Sequence, residues 1–113
     1  MAIIVTTQRP QELLDAIYEG INDNSIRTWD YDNDGDFTHT KDQFVNRAWL
    51  TPIVGSGELK FGIIGQQGVP MTKGIYGIYH GRFIEMLLGH FDHKFSQAVA
   101  SAQFVSGVDP AGG

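Results

Sequence analysis

The most regular apolar spacing in this chain lies in MTKGIYGIYHGRFIEMLLGHFDHK, residues 71 to 94. Its apolar residues recur at steps of three, four and one, which places them on one stripe of an α-helix: Ile75, Tyr79, Phe83, Met86, Leu87 and Phe91. Thr72 can cap this helix because its hydroxyl can accept a hydrogen bond from an amide one turn further on. Pro70 precedes the cap, where it does not interrupt the helix. We therefore predict one long helix over residues 72–92.

Four glycines fall inside this helical pattern: Gly74, Gly77, Gly81 and Gly89. Each costs roughly 1 kcal/mol relative to alanine in a helix interior, so tertiary packing has to hold the segment. The glycines favour close approach of the helix to a sheet or to another helix. The alternative is that residues 73–79 form a strand and the helix begins near His80. Two of the glycines share another row with Glu85 and His93, which is either a bare groove for a ligand or partner, or ordinary surface.

Length and composition indicate one small globular domain. A chain of 113 residues fits a single domain by size, and we predict that it spans residues 1–105, with a disordered tail at 106–113. The formal net charge is −5, so the phosphate backbone of nucleic acids is repelled on average and nucleic-acid binding is disfavoured. The absence of cysteine excludes disulfides, thiolate metal sites and cysteine nucleophiles.

Nothing in the sequence predicts a membrane partner or an export signal. No segment approaches the length of a membrane span. The apolar run in the first ten residues, MAIIVTTQRP, is too short for a signal-peptide core, and no basic region precedes it. We therefore expect a cytoplasmic protein, although a mature secreted form would have the same appearance.

The first half of the chain predicts a strand, a helix and a hairpin. The β-branched run at 2–6 is typical of a strand, and an amphipathic stripe after Pro10 predicts a helix: Leu13, Leu14, Ile17 and Ile21. Aromatic residues then alternate on both sides of the turn at 33–35: Trp29, Tyr31, Phe37 and His39. A two-residue loop sets Asp32 opposite Phe37. A three-residue loop with Gly35 left-handed sets Tyr31 opposite Phe37 and places all four rings on one face, so we predict the longer loop.

The second half predicts three more strands around the long helix. Residues 44–54, FVNRAWLTPIV, are typical of a strand in which Pro52 favours an edge position or a bulge. Leu59, Phe61 and Ile63 alternate in a returning strand. The segment at 94–105, KFSQAVASAQFV, predicts a final strand, with helix as the alternative. This order predicts an α+β fold: a two-layer sandwich with a mainly antiparallel sheet of about five to six strands and two helices packed on one face.

Two groups of side chains are candidates for metal binding. Residues 30–36, DYDNDGD, match the first half of a calcium loop. The twelfth position of that loop is Lys41 and not a glutamate, so an acidic hairpin turn is favoured. His90, Asp92 and His93 form a compact cluster that could bind zinc if the helix continues through it. Specific metal signatures are absent, and we expect no cofactor.

A second set of polar residues is a candidate ligand site. Tyr79, His80, Arg82 and Glu85 bring a phenol, an imidazole, a guanidinium and a carboxylate onto one helix. Arg82 could clamp an anionic small molecule, with His80 or Glu85 as acid or base. His39 and Asp30 of the hairpin are the natural partners of this set.

Two functions from different classes follow. The favoured one is a small acidic interaction protein that binds a protein partner or itself, as a homodimer, through exposed edge strands. It is favoured because structural roles account for nearly every motif, whereas an enzymatic role is disfavoured and stays open as part of the alternative. The alternative is a small-ligand-binding or catalytic domain with a cleft between helix 72–92 and hairpin 28–40.

Overall fold

The computed structural model describes residues 2–103 and 105–109, which form a six-stranded antiparallel sheet and two α-helices. The strands are β1 (Ala2–Thr6), β2 (Trp29–Tyr31), β3 (Phe37–His39), β4 (Ala48–Gly55), β5 (Glu58–Gly65) and β6 (Gln97–Ala100). The helices are α1 (Pro10–Asn22) and α2 (Lys73–Phe91), and short 3₁₀ helices lie at Asp42–Phe44 and Asp92–Lys94. The spatial order of the strands is β2-β3-β4-β5-β1-β6. The predicted α+β fold is therefore confirmed.

Helix α2 forms as one unbroken helix from Lys73, so the alternative of a strand at 73–79 is wrong. The hydroxyl of Thr72 accepts a hydrogen bond from the amide of Ile75 at 3.2 Å, which confirms the predicted cap. The predicted apolar stripe is buried from Tyr79 to Phe91. Packing of this stripe holds the helix to the rest of the protein.

Among the residues that the structure describes, the glycines of α2 do not mark a close approach. A Cβ atom placed on Gly77, Gly81 or Gly89 would meet no atom of residues 2–103 or 105–109 within 4 Å, apart from the backbone of the helix itself. The predicted close approach of α2 to a sheet or to another helix is therefore not found at these three glycines within the described part of the chain. They lie on the exposed side of the helix.

The hairpin of β2 and β3 has the predicted three-residue loop. The amide of Asp32 donates to the carbonyl of Asp36 at 3.0 Å, and Gly35 between them has φ +82°. Tyr31 lies opposite Phe37, and Trp29 lies opposite His39, as predicted. Glycine suits the turn because a left-handed backbone carries no Cβ penalty there.

Strand β4 begins at Ala48, so the strand predicted from residue 44 starts too early. Phe44 ends a 3₁₀ helix, and Asn46 has φ +54°. Pro52 lies past the pairing of β3 with β4, which consists of Phe37 opposite Leu50. At Pro52, no described strand pairs with β4 on the side away from β5. The missing amide hydrogen of Pro52 is therefore tolerated on that side.

Aromatic rings from both helices contact the same face of the sheet. The strand register puts Phe37, Leu50, Ile63 and Phe61 on one face, because directly opposed residues of antiparallel strands share a face. From α1, Tyr18 stacks on Phe37 with ring centroids 4.9 Å apart. From α2, Phe83 contacts Phe61 at 4.7 Å and Phe37 at 5.5 Å. Phe37, Phe61 and Phe83 belong to the buried core, and the partly buried Tyr18 packs against it.

Residues 105–109 pack against the sheet. Val108 and Asp109 are buried, and a Cβ atom on Gly62 would lie 2.1 Å from the carbonyl oxygen of Val108. Only glycine admits the segment at this point of β5. Val108 and Asp109, which fall in the tail predicted for 106–113, thus pack against the sheet, and residues 110–113 lie outside the described residues. Across residues 2–103 and 105–109, no helix is long and apolar enough to cross a membrane.

Candidate functional site

Tyr79, one of the predicted ligand-binding residues, is fully buried and ties a loop to the core. Its phenol donates a hydrogen bond to the carbonyl oxygen of Phe44 and accepts one from the amide of Arg47 at 3.2 Å. The hydroxyl of Thr38 lies 3.3 Å from the same phenol oxygen. The phenol therefore holds the segment between β3 and β4 against helix α2, which is a structural role.

The two central histidines of the candidate set are also interior residues. His39 is 5% exposed, and its Nδ1 atom accepts a hydrogen bond from the amide of Lys41 at 3.1 Å. His80 is 4% exposed, with its Nδ1 atom 2.7 Å from the carbonyl oxygen of Tyr76. Both imidazoles thus take part in local backbone hydrogen bonding.

The remaining candidates lie at the surface. Arg82 and Glu85 form an ion pair of 3.5 Å, and their side chains are 53% and 71% exposed. Asp30 is exposed on β2. The structure therefore brings His39 and Tyr79 together, with ring centroids 6.2 Å apart, and leaves the charged members outside that contact.

Aromatic side chains fill the contact between α2 and the β2–β3 hairpin. The ring of Trp29 lies 5.5 Å from that of Tyr79 and 5.0 Å from that of Phe83, both edge-on. Edge-to-face packing of this kind is typical of a hydrophobic core. At these residues, helix α2 and the β2–β3 hairpin pack against each other in the protein interior.

The predicted metal cluster at the end of α2 is spread over the surface. His90 lies in the last turn of α2, whereas Asp92 and His93 belong to the following 3₁₀ helix. The Nδ1 atom of His93 lies 3.9 Å from a carboxylate oxygen of Asp92, and both side chains are largely exposed. Within the part of the chain that the structure describes, the His90, Asp92 and His93 set does not bring three ligand atoms within 4.8 Å of one another.

The acidic hairpin turn does bring three carboxylates together. Oxygen atoms of Asp32, Asp34 and Asp36 lie within 4.8 Å of one another. One oxygen of Asp32 already accepts hydrogen bonds from the amides of Asp34 and Asp36, both at 3.0 Å. Burial raises the pKa of Asp36, and the charges of Asp32 and Asp34 raise it further. The turn itself uses the Asp32 carboxylate, which supports the structural interpretation made from the sequence.

Strand β6 presents an open edge of the sheet. It is the last strand in the spatial order and pairs with β1 on one side only, among the residues described. Val99 at its centre is 49% exposed. Residues 97–103, QAVASAQ, contain no charge and no proline. Natural edge strands commonly carry charge, proline or a bulge, which prevent pairing with another chain, and β6 has neither charge nor proline.

The opposite edge of the sheet is better protected. Strand β2 has three residues, with the exposed carboxylate of Asp30 at its centre. The acidic turn follows directly, so charge flanks the edge. Short length and charge are two of the usual devices against edge-to-edge pairing. The edge at β2 is therefore the weaker candidate of the two.

Comparison with protein-family models, with curated proteins and with solved structures finds no match for this chain. The candidate interface consequently rests on the geometry of β6 alone. Sequence reasoning missed β6 as an edge because strand order depends on pairings between distant segments. The uncharged run at 97–103 was the signal that could have indicated it.

Proposed function

We propose that this protein is an interaction protein that associates with a second copy of itself through strand β6. The observation that carries the proposal is the open, uncharged edge of Gln97–Ala100. An unpaired edge presents backbone donors and acceptors that another strand can satisfy. Because the chain has a net charge of −5, the lack of charge along this edge is a stronger indication of pairing than it would be in a neutral chain.

The hydrogen-bond pattern of β6 indicates which groups face outward. The amide of Ser101 donates to the carbonyl of Ala2 at 2.8 Å, so the peptide groups of Ser101 point toward β1. Because these groups alternate in direction along a strand, those of Val99 also point toward β1. The amides and carbonyls of Ala98 and Ala100 therefore point away from the sheet.

This arrangement is self-complementary about Val99. In an antiparallel pairing of two copies, Ala98 of each copy lies opposite Ala100 of the other and exchanges hydrogen bonds with it. The two Val99 side chains then face each other in a non-hydrogen-bonded pair, whose Cα atoms are about 4.5 Å apart. Such a contact is isologous, as most homodimer interfaces are, and the two six-stranded sheets join edge to edge.

We expect the dimer to be reversible. A four-residue pairing is short beside the roughly 20–30 residues on each side of a standard interface. The small side chains of Ala98 and Ala100 add little apolar area. The association should therefore depend on protein concentration.

The test is sedimentation velocity over a series of protein concentrations. The wild type should shift from monomer to dimer as concentration rises. Val99→Lys should stay monomeric, because it places two like charges opposite each other at the centre of the pairing. Val69→Lys is the matched control, since Val69 is a 51% exposed valine in the loop before α2, and it should dimerise as the wild type does.

Hydrogen exchange of the wild type gives a second readout that needs no variant. The amides of Ala98 and Ala100 should become protected at concentrations where the dimer forms. A wild type that is monomeric at every concentration would contradict self-association. A dimer that survives Val99→Lys, or that leaves both amides unprotected, would exclude β6 as its interface.

A further inference from the structure

A cleft of about 640 Å³ lies at one end of the sheet. It is bounded by the start of α1, the turn between β4 and β5, and the residues that connect α2 to β6. The partly buried Phe95 and Leu13, which is 1% exposed, line an apolar wall. Polar side chains surround it as a rim: Arg9, Glu12, His93 and Lys94. The volume falls in the range of roughly 300–1,000 Å³ that is usual for small-molecule sites.

Hydrogen bonds between distant segments hold the walls of the cleft in place. The hydroxyl of Thr7 donates to the carbonyl of Lys94 at 2.7 Å. The amide of Thr7 donates to the carbonyl of Gly57 at 3.1 Å, and the amide of Ser96 donates to the carbonyl of Thr6 at 2.9 Å. Thr6 and Thr7 therefore join all three walls, and the cleft is formed before any ligand arrives.

The rim carries more positive than negative charge. Glu12 forms ion pairs with Arg9 at 3.3 Å and with Lys94 at 3.4 Å, so two cations share one carboxylate. Hydrogen bonds from Arg9 and then Lys94 lower the pKa of Glu12, which stays ionised. The rim thus has an excess of one positive charge, before any contribution from His93, on a chain whose net charge is −5.

We propose that this cleft binds a small organic anion with an apolar body, of the carboxylate class. The carboxylate lies between Lys94 and Arg9, where charge-assisted hydrogen bonds are available. The hydrocarbon part lies mainly against Phe95, since Leu13 is 1% exposed. The single negative charge of the ligand balances the excess of one positive charge on the rim. This site uses none of the outward-facing groups of β6, so the proposal stands or falls independently of self-association.

The test is an NMR titration of the ¹⁵N-labelled full chain with hexanoate, and with hexanamide as its neutral analogue. Hexanoate should give saturable shifts of the amides that line the cleft, and hexanamide should bind more weakly. Lys94→Gln should weaken hexanoate binding by about tenfold, because it removes one charge-assisted contact. Lys73→Gln removes an exposed charge outside the cleft and should leave the affinity unchanged.

A second variant and a second anion keep the test decisive. Arg9 has a side chain that is 81% exposed, so Arg9→Gln should fold normally and should also weaken hexanoate binding. Titration with inorganic phosphate should give weaker binding than hexanoate, since phosphate cannot use the apolar wall. Absence of saturable shifts, equal binding of hexanamide, equal binding of phosphate, or full affinity in both variants would each overturn the proposal.

Discussion

Asp109 and Ile63 are joined by a hydrogen bond of 3.2 Å from the amide of Ile63 to one carboxylate oxygen of Asp109. The other oxygen accepts from the amide of Val105 at 2.8 Å. The described pairing of β1 with β5 ends with Ala2 opposite Gly62, one residue before Ile63. The carboxylate thus supplies an acceptor just past the end of that ladder and fastens residues 105–109 to the sheet.

Replacing Asp109 by alanine should destabilise the fold. The substitution removes the acceptor of a buried amide, and an unsatisfied buried donor costs about 1–3 kcal/mol of unfolding free energy. Asp109→Asn should cost less, since its amide oxygen can still accept one hydrogen bond. Urea unfolding measures both. Asp92→Ala, at a side chain that is 76% exposed, is the control, and a loss for Asp109→Ala no larger than for this control would contradict the assignment.

Two glycine-to-alanine substitutions should act in opposite directions. Gly81→Ala should raise the unfolding free energy by roughly 0.5–1 kcal/mol, because its Cβ meets open space and alanine favours the helix. Gly62→Ala should lower it, because its Cβ would lie 2.1 Å from the carbonyl oxygen of Val108. Thermal and urea unfolding of the two variants test this. If Gly81→Ala destabilised the monomer, some contact would have to cover that face of α2.

Tyr79→Phe should destabilise the protein by about 1–3 kcal/mol, because it leaves buried polar partners of the phenol without their hydrogen bond. The loss should appear locally as faster hydrogen exchange of the Arg47 amide, which donates to the phenol oxygen. Tyr76→Phe removes a hydroxyl from the same helix and serves as the control. Equal stability and equal exchange at Arg47 in the two variants would argue against the structural role of Tyr79.

Asp36→Asn should stabilise the protein near neutral pH. The folded-state pKa of Asp36 is raised by burial and by Asp32 and Asp34, so ionisation of Asp36 disfavours the folded state. The resulting loss of unfolding free energy is absent below the ordinary aspartate pKa. It grows as pH rises from that value to the folded-state pKa of Asp36, and it is complete above the folded-state pKa. The variant should therefore melt higher than the wild type at about pH 7, and the difference should vanish at about pH 3.

Calorimetry or circular dichroism across this pH range measures the effect. Asp15→Asn, at an exposed carboxylate on α1, is the control for a general loss of negative charge. Added salt should shrink the gain from Asp36→Asn, because the neighbouring carboxylates that contribute to it are exposed and screened. A gain that persisted at low pH would have another origin than the ionisation of Asp36.

Short-range features of this protein were predictable because the residues that decide them are close in sequence. The cap at Thr72, the left-handed Gly35 and the Tyr31–Phe37 register each depend on residues within one turn or one hairpin. The apolar spacing of α2 and the alternation in β5 likewise identified buried positions such as Phe83 and Phe61. Periodicity assigns an element and its buried face, because side-chain direction follows from helix or strand geometry.

The sites were not predictable because residues far apart in the sequence build them. The candidate ligand set failed to converge, since neighbours on one helix point in different directions, and Tyr79 entered the core while Arg82 stayed outside. Strand β4 begins later than predicted, at Ala48 and not at residue 44. The carbonyl of Phe44 accepts a hydrogen bond from the phenol of Tyr79, a residue far away in the sequence. Local pattern carries no information about which distant segment takes up a given hydrogen bond.

The amino-acid sequence by itself determined the kinds of element, their order and most of their buried faces. Only the tertiary structure decided that β6 pairs beside β1 and so becomes an open edge. It also decided that Thr7 meets Gly57 and Lys94 to form the cleft, and that Asp109 reaches Ile63. The physical reason is the range of the interactions: dihedral preference and periodicity act over a few residues, whereas edges, clefts and caps of the sheet arise from contacts that close loops of tens of residues.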